Sequence, residues 1–382
     1  MSGVNMARRK HGEGTVFRRK DGRYVAQVRL ENGKKKQSYF KTQKEANAAL
    51  RKMVHEQEQG TLATGPNQTL KAYLDQWLEQ VHKPAIRTST YYMYRTILDK
   101  HVIPELGHIR LQRLTPQQVQ AFYAGKLEDG FSPYWVKKFH IVLHAALENA
   151  VRWNLIARNV CDLVTPPVPQ HNDIQPLTSE QVRRLLEAAR GDKLEAFITL
   201  AVNTGMRRGE LLGLHWQDID FETGCLYVRR SVGRVGTFGI KEWEPKTQRS
   251  KRKIELSPFV IETLKRHREQ QRLMREKVGD RWKEQGIVFC NRYGGYIEVS
   301  NLHVAFKHLL KSAELPDIRF HDLRHSVASL LLSMEVHPKV VQELLGHSHI
   351  SITIAIYSHL FPSMQKKAIS QLDDLFNRDV KE

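Results

Sequence analysis

The sequence predicts a multidomain α+β protein with a small N-terminal domain of three strands and a helix. A helical bundle follows, and then a larger, mainly helical domain with a small antiparallel sheet. Three observations carry this reading. A length of 382 residues suits two or three domains. Two turn-rich stretches, residues 60–67 and 159–176, read as linkers, the second through Pro166, Pro167, Pro169 and Pro176. The apolar pattern also changes from a period of two before the first linker to helical spacing after it. The expected domains are 1–60, 67–160 and 175–382.

In the first domain, residues 14–17, 24–30 and 36–40 alternate as strands, with Asp21-Gly22 and Asn32-Gly33 marking the turns. A helix over about residues 42–57 begins at Thr42, with Glu45 at capping-box spacing. Fifteen Lys and Arg against six Asp and Glu over residues 1–60 give roughly +9, a density suited to a nucleic-acid surface. Arg8, Arg9, Arg18, Arg19, Lys34, Lys35 and Lys36 are the candidate contacts, although the run of three lysines reads equally well as a solvated turn.

Four helical patterns follow. Thr69 caps the first, with Leu70, Tyr73, Leu74, Trp77, Leu78 and Val81 along one face. The second covers about residues 88–102 and stops near Pro104 and Gly107. Thr115-Pro116 and Ser132-Pro133 open the third and fourth, each with Pro at the first helical position. Trp77 and Trp135 are expected in the core. In the last domain Thr178 and Gln181 form another capping-box pattern, strands are expected between Cys225 and Leu256, and a short apolar strand near residues 287–289.

The charge of the whole chain points to a polyanionic partner. Sixty Lys and Arg against 41 Asp and Glu give +19, and neutralising phosphates releases condensed counterions. Cys161, Cys225 and Cys290 are widely separated and form no CxxC pair, as expected in a reducing cytoplasm. No apolar stretch reaches transmembrane length and none resembles a signal peptide, so neither membrane nor secretion is expected.

Four C-terminal segments carry the chemistry. In Thr204-Gly205-Met206-Arg207-Arg208-Gly209-Glu210 an arginine begins a helix after a glycine turn, where its fork and the free backbone N–H groups suit a phosphate. Pro245-Lys246-Thr247 falls in a turn between strands, from which a lysine can protonate a leaving oxygen; Lys241, Lys251 and Lys253 are its neighbours. His321-Asp322-Leu323-Arg324-His325 opens a helix with His321 and Arg324 on one face. Leu345-Gly346-His347 ends a helix, and Tyr357 lies ten residues beyond His347.

Breaking a phosphodiester while conserving its energy requires a side-chain hydroxyl, a cationic cradle and an acid for the leaving oxygen. These segments hold all three, and no paired carboxylates suggest a two-metal site. His321 and His325 have the i, i+4 spacing of a helical metal site, but Asp322 stands where the HExxH glutamate would be, and no metal is expected.

Together, TGMRRGELLGLHWQDID, PKTQRSKRKIELSP, HDLRH and LGHSHISITIAIYSHLFP resemble the motif set of the tyrosine recombinases, the phage-integrase family. The four-helix segment resembles that family's core-binding domain, and the first sixty residues its arm-binding domain. The resemblance implies that Arg207 and Arg324 clamp the scissile phosphate, Lys246 protonates the departing 5′ oxygen and His347 hydrogen-bonds the phosphate. His321 would move a proton with the nucleophile, and Glu210 would support the site. Tyr357 would attack to form a 3′-phosphotyrosine. One departure is Ala355, where many relatives carry an acidic or polar residue.

The resemblance further implies double-stranded attachment-site DNA as substrate, a homotetramer on DNA, and an excisionase or DNA-bending accessory protein as partner. No cofactor is implied. Such an enzyme integrates or excises a phage or mobile element, with its bundle and catalytic domain clamped on opposite faces of the duplex. The apolar positions Met364, Ile369, Leu372, Leu375 and Phe376 suit docking on a neighbouring protomer or on their own domain. Two other readings are a non-catalytic DNA-binding regulator of the same fold and a type IB topoisomerase.

Overall fold

The computed structural model describes residues 14–29, 35–58, 67–170, 175–236, 239–244, 251–346, 369–370, 372–373 and 376. The chain divides at residues 171 and 172 into two compact units.

The first unit begins with an antiparallel sheet of β1 (Thr15–Arg18), β2 (Tyr24–Arg29) and β3 (Lys35–Phe40), in that order. Its first turn closes where the Gly22 N–H donates to the Arg19 carbonyl at 3.0 Å. The expected second turn, Asn32-Gly33, lies outside the described residues. Helix α1 (Gln43–Glu58) starts at the capping box, with Glu45 N–H donating to Thr42 Oγ1 and Thr42 N–H to Glu45 Oε2, both at 3.3 Å. It lays Ala46, Leu50 and Met53 on Ala26 and Val28.

Because side chains alternate across a strand, the register puts Phe17, Val25 and Tyr39 together on the other face. There Phe17 and Tyr39 stay exposed, and the Arg19 and Arg23 guanidiniums lie 5.4 and 5.5 Å from the Tyr39 ring centre. The basic candidates therefore separate. Lys35 shares the face of Tyr39, while Arg18 and Lys36 fall on the α1 side. Arg8, Arg9 and Lys34 lie outside the described residues.

The bundle has four helical rods. The first runs through α2 (Leu70–Trp77), a π-helical turn (Leu78–His82) and α3 (Lys83–Ala85); Thr69 caps it by accepting from Ala72 N–H. The second runs through α4 (Thr88–Ile97), a π-helical turn (Leu98–Val102) and α5 (Ile103–Leu106). Each π turn ends just before a proline. The residue ahead of Pro84 or Pro104 donates five residues back, Lys83 to Leu78 and Ile103 to Leu98. The widened turn accommodates a ring that would otherwise break the ladder, so the second rod passes Pro104 and ends at Leu106.

Helices α6 (Pro116–Glu128) and α7 (Pro133–Arg152) complete the bundle. Tyr73, Trp77, Phe139, Leu143 and Leu147 fill its core, and Tyr73 Oη donates to the Ala146 carbonyl at 2.5 Å. Trp135 departs from expectation. It is 45% exposed, because Val136 and Phe139 occupy the inward side of α7.

The second unit contains α8 (Ser179–Ala189), α9 (Glu195–Thr204) and α10 (Arg208–Leu212). Next come β4 (Ile219–Asp220), β5 (Cys225–Val228), β6 (Ser231–Arg234), β7 (Ile240–Trp243) and β8 (Arg252–Glu255). The last helices are α11 (Pro258–Val278), α12 (Val299–Ser312), α13 (Phe320–Ser333) and α14 (Pro338–Leu345). Strands β4, β5 and β8 form one antiparallel sheet, and the β6–β7 hairpin is inserted between β5 and β8. Residues 287–289 do not make the expected strand. Ile287 forms only an isolated bridge to His215, while Val288 N–H donates to the Leu214 carbonyl at 2.9 Å. Among the described residues, no helix is long and apolar enough to cross a membrane.

Leu143 is fully buried at the centre of α7. Leu143→Ala is expected to cost about 2–5 kcal/mol, through lost transfer energy and an unfilled cavity, read from urea unfolding.

Candidate active site

The site grows from the junction between α9 and α10. Helix α9 buries Phe197, Ile198, Leu200 and Ala201, so its end is fixed in the core. Gly205 ends it in the left-handed region at φ +60°, and a Cβ there would stand 2.2 Å from Leu345 Cδ2. Only glycine meets both demands. The reversal delivers Arg207 to the N-cap of α10, where Arg208 instead turns outward to the exposed side.

Arg207 is held on three sides. Its backbone N–H donates to Glu210 Oε2 at 3.0 Å, its Nη1 to Glu210 Oε1 at 2.7 Å, and its Nη2 to the Gly346 carbonyl at 2.9 Å. Glu210 is buried, and Arg252 Nη2 also donates to its Oε2 at 3.1 Å. Burial alone would push this carboxyl up, but Arg252 and Arg207 outweigh that and hold it below the ordinary carboxylate range.

Helix α13 brings the second arginine. Arg319 and Asp322 cap its start, with Arg319 N–H donating to Asp322 Oδ2 at 2.8 Å. One turn in, Arg324 is only 3% exposed; its Nη1 donates to the Gly205 carbonyl at 2.8 Å. Its Nη2 is buried and finds no hydrogen-bond partner among the described residues. Burial, and then Arg207, push this guanidinium down to about 8. A guanidinium surrenders its proton very reluctantly, so the same penalty is felt as a demand for an anion.

His321 opens to solvent on one side, while protein crowds it on the other. That burial, with the charges of His325, Arg324 and Arg207, pushes its pKa down to about 4. It is therefore neutral at physiological pH in the DNA-free chain. Its ring meets that of His325 edge-on at 5.0 Å. Among the described residues no cluster of His, Cys, Asp or Glu could hold a metal ion.

The β6–β7 hairpin buttresses α10. A Cβ on Gly209 would come within 2.5 Å of Ser231 Oγ and 2.7 Å of the Val232 carbonyl, so the strand lies directly on the helix backbone. The hairpin is tied to the domain through Arg230, which contacts Asp218 at 3.0 Å and Glu242 at 3.3 Å, and through Tyr296 Oη, which donates to Glu242 at 2.6 Å.

Comparison with known proteins decides the family. The profile described as "Phage integrase family" matches residues 175–364, and that of the "Phage integrase, N-terminal SAM-like domain" matches residues 69–127. A tyrosine recombinase XerC-like protein of Caldanaerobacter subterraneus subsp. tengcongensis is 33% identical over 91% of this chain and 94% of its own. The chain belongs to the phage-integrase family of tyrosine recombinases. Its activity is site-specific DNA recombination. An integrase of Streptomyces ambofaciens is 30% identical over 97% of this chain and 98% of its own. In fold, the recombinase is similar to the Tn1549 transposon integrase solved with transposon right end DNA. The TM-score is 0.68 at 22% identity, covering 80% of this chain and 99% of that one. It is also similar to a lambda integrase dimer on a COC′ core site, with TM-score 0.56 and 20% identity over 92% and 96% of the two chains.

Of the candidate residues, the structure brings together Arg207, Glu210, His321 and Arg324. Lys246, His347 and Tyr357 lie outside the described residues. Of the neighbours of Lys246, Lys251 pairs with Glu244 at 2.9 Å, and Lys253 stands on β8 opposite Tyr227. Sequence reasoning missed Arg252 as part of the site. The available signal was its place at the start of a strand whose neighbours, Lys251 and Lys253, are also basic.

Two tests follow from this geometry. In the DNA-free recombinase, the His321 imidazole is expected to titrate near 4 by NMR. Arg207→Ala, which removes a nearby cation, should raise that value. Since the folded value is depressed, neutral His321 contributes stability that is present above the unfolded value near 6.5 and is lost as pH falls toward 4. Gly205→Ala, which strains a left-handed residue and forces Leu345 aside, is expected to lower stability by at least about 1–2 kcal/mol in denaturant titration.

Proposed function

We propose that this recombinase cleaves DNA by attack of Tyr357 Oη on the scissile phosphate. The Oη–P bond forms as the P–O5′ bond breaks. Lys246 gives a proton to the departing 5′ oxygen, while neutral His321 receives the tyrosine proton. Arg207 and Arg324 hold the non-bridging oxygens, and His347 adds a further hydrogen bond. The 3′-phosphotyrosine keeps the energy of the broken bond until the 5′ hydroxyl of a partner strand displaces the tyrosine. The observation that carries the reading is Arg324, a buried cation whose Nη2 has no partner among the described residues.

The larger reading is an integrase of a phage or other mobile element, acting in the bacterial cytoplasm on attachment sites. Its relatives' names support it, since the Streptomyces ambofaciens protein is called an integrase and a Bacillus subtilis relative the ICEBs1 integrase. The three domains, 1–60, 67–160 and 175–382, would divide the work into arm binding, core binding and catalysis. On the first, the outer sheet face with Arg19, Arg23, Lys35 and Tyr39 suits a duplex, because cations there flank an exposed aromatic ring. A homotetramer on DNA, helped by an excisionase or DNA-bending protein, completes the proposal. The lambda integrase has been solved as a tetramer on a Holliday junction. Ile369, Leu372 and Phe376 are more than half exposed in the single chain and suit a partner subunit.

The test uses a nicked duplex built from the junction sequence flanking the gene, so that a cleaved strand diffuses away and the adduct is trapped. Wild-type protein is expected to give a protease-sensitive covalent adduct, and Tyr357→Phe none. An adduct with Tyr357→Phe overturns the assignment; DNA binding without any wild-type adduct favours a regulator. Truncation after Ser363 is expected to abolish the tetramer but spare single-site binding in gel-shift assays. A tetramer that survives truncation places the C-terminal segment on its own domain.

A further inference from the structure

Arg252 takes no part in the chemistry above, yet its side chain is only 7% exposed. It opens β8 opposite Val228, on the inserted-hairpin side of the sheet. From there it reaches two elements at once. Its Nη2 donates to Glu210 Oε2 at 3.1 Å, and its Nε to the Leu344 carbonyl, near the end of α14, at 2.7 Å. A strand-borne guanidinium buried between two catalytic elements needs an account beyond surface charge.

We propose that Arg252 is a positioning residue for strand cleavage: it shares Glu210 so that Arg207 is held rigidly without being neutralised. This rests on the reading that Arg207 binds the scissile phosphate. Glu210 brings a single negative charge. Paired with Arg207 alone, it would fix that side chain but cancel the charge the phosphate requires. With Arg252 on the same carboxylate, the trio carries +1 and Glu210 still orients Arg207 through both oxygens.

The same residue also locks the end of α14. The last carbonyls of a helix have no partner within it. Here Arg252 takes that of Leu344, and Arg207 takes that of Gly346 at 2.9 Å. His347 follows Gly346 directly in sequence, so the arginine pair fixes the backbone from which it departs. An ammonium cannot replace this fork, because Nε and Nη2 point along separate, fixed directions.

The experiment is single-turnover cleavage of the same nicked duplex by full-length protein, with DNA affinity and thermal melting measured for each variant. Arg252→Gln is expected to slow cleavage by about 100-fold, the size of losing one preorganised donor, with DNA affinity within about threefold. Adding Glu210→Gln should recover at least about tenfold of that loss, since no carboxylate then cancels Arg207. A purely structural role would give no recovery. Arg252→Lys should remain at least about tenfold slow, because it restores charge without the fork.

Cleavage by Arg252→Gln within about threefold of wild type overturns the inference, as does a double variant no faster than Arg252→Gln. Should Arg252→Gln fail to melt cooperatively, Arg252→Lys decides, and wild-type speed from it is the contrary result. Absence of a wild-type adduct overturns the proposed function itself, whereas a wild-type adduct with normal Arg252 variants overturns only this inference.

Discussion

Three guanidinium groups gathered around one carboxylate constrain the rest of the catalytic domain. Arg207, Arg252 and Arg324 approach from three elements, and among the described residues Glu210 stands between them with negative charge. Charges taken out of water cost several kcal/mol each unless they are paired and hydrogen-bonded, roughly as in other buried ion clusters. Glu210 offsets part of that cost, and the carbonyls of Gly205, Leu344 and Gly346 take up further donors. A surplus of positive charge remains and is unmet among the described residues. In the proposed mechanism, a DNA phosphate supplies the charge that balances it.

Much of the surrounding structure serves to hold this arrangement open. Helix α9 is fixed by its apolar residues, so its C-terminal glycine can present a carbonyl to Arg324 while Leu345 fills the space beside it. The β6–β7 hairpin lies against the glycine side of α10, leaving the other side of that helix for Glu210 and Arg252. The site thus belongs to no single element. It arises where the ends of α9 and α14, the starts of α10 and α13 and one edge of a sheet are brought to the same place. Charge set in place before the substrate arrives needs no reorganisation during the reaction, and so lowers the barrier to a developing oxyanion more than mobile water could.

The legible part of this design was whatever the sequence expresses locally. The capping boxes at Thr42 and Thr178 were readable because both partners lie within three residues, and both form. Arg207, Glu210 and the His321–Arg324 pair were readable for the same reason, since a glycine turn and a helix start fix their relation. Arg252 was not. Its two partners are 42 and 92 residues away, and a basic residue between two lysines reads as solvated surface. Trp135 failed differently, for its large apolar ring suggests a core, but the helix phase set by Val136 and Phe139 turns it to solvent. The π turns before Pro84 and Pro104 also escaped notice, because nothing in a proline's neighbours reports a widened turn.

The buried arginines are held to act on the charge of a single phosphate. The direct measurement compares single-turnover cleavage by wild type and Arg324→Ala on two nicked duplexes, one natural and one with a neutral methylphosphonate at the cleaved position. On the natural phosphate, Arg324→Ala is expected to lose about 100-fold or more; on the neutral diester, that loss should shrink by at least about tenfold. Equal losses on the two substrates would contradict the account, because Arg324 would then be acting on something other than phosphate charge.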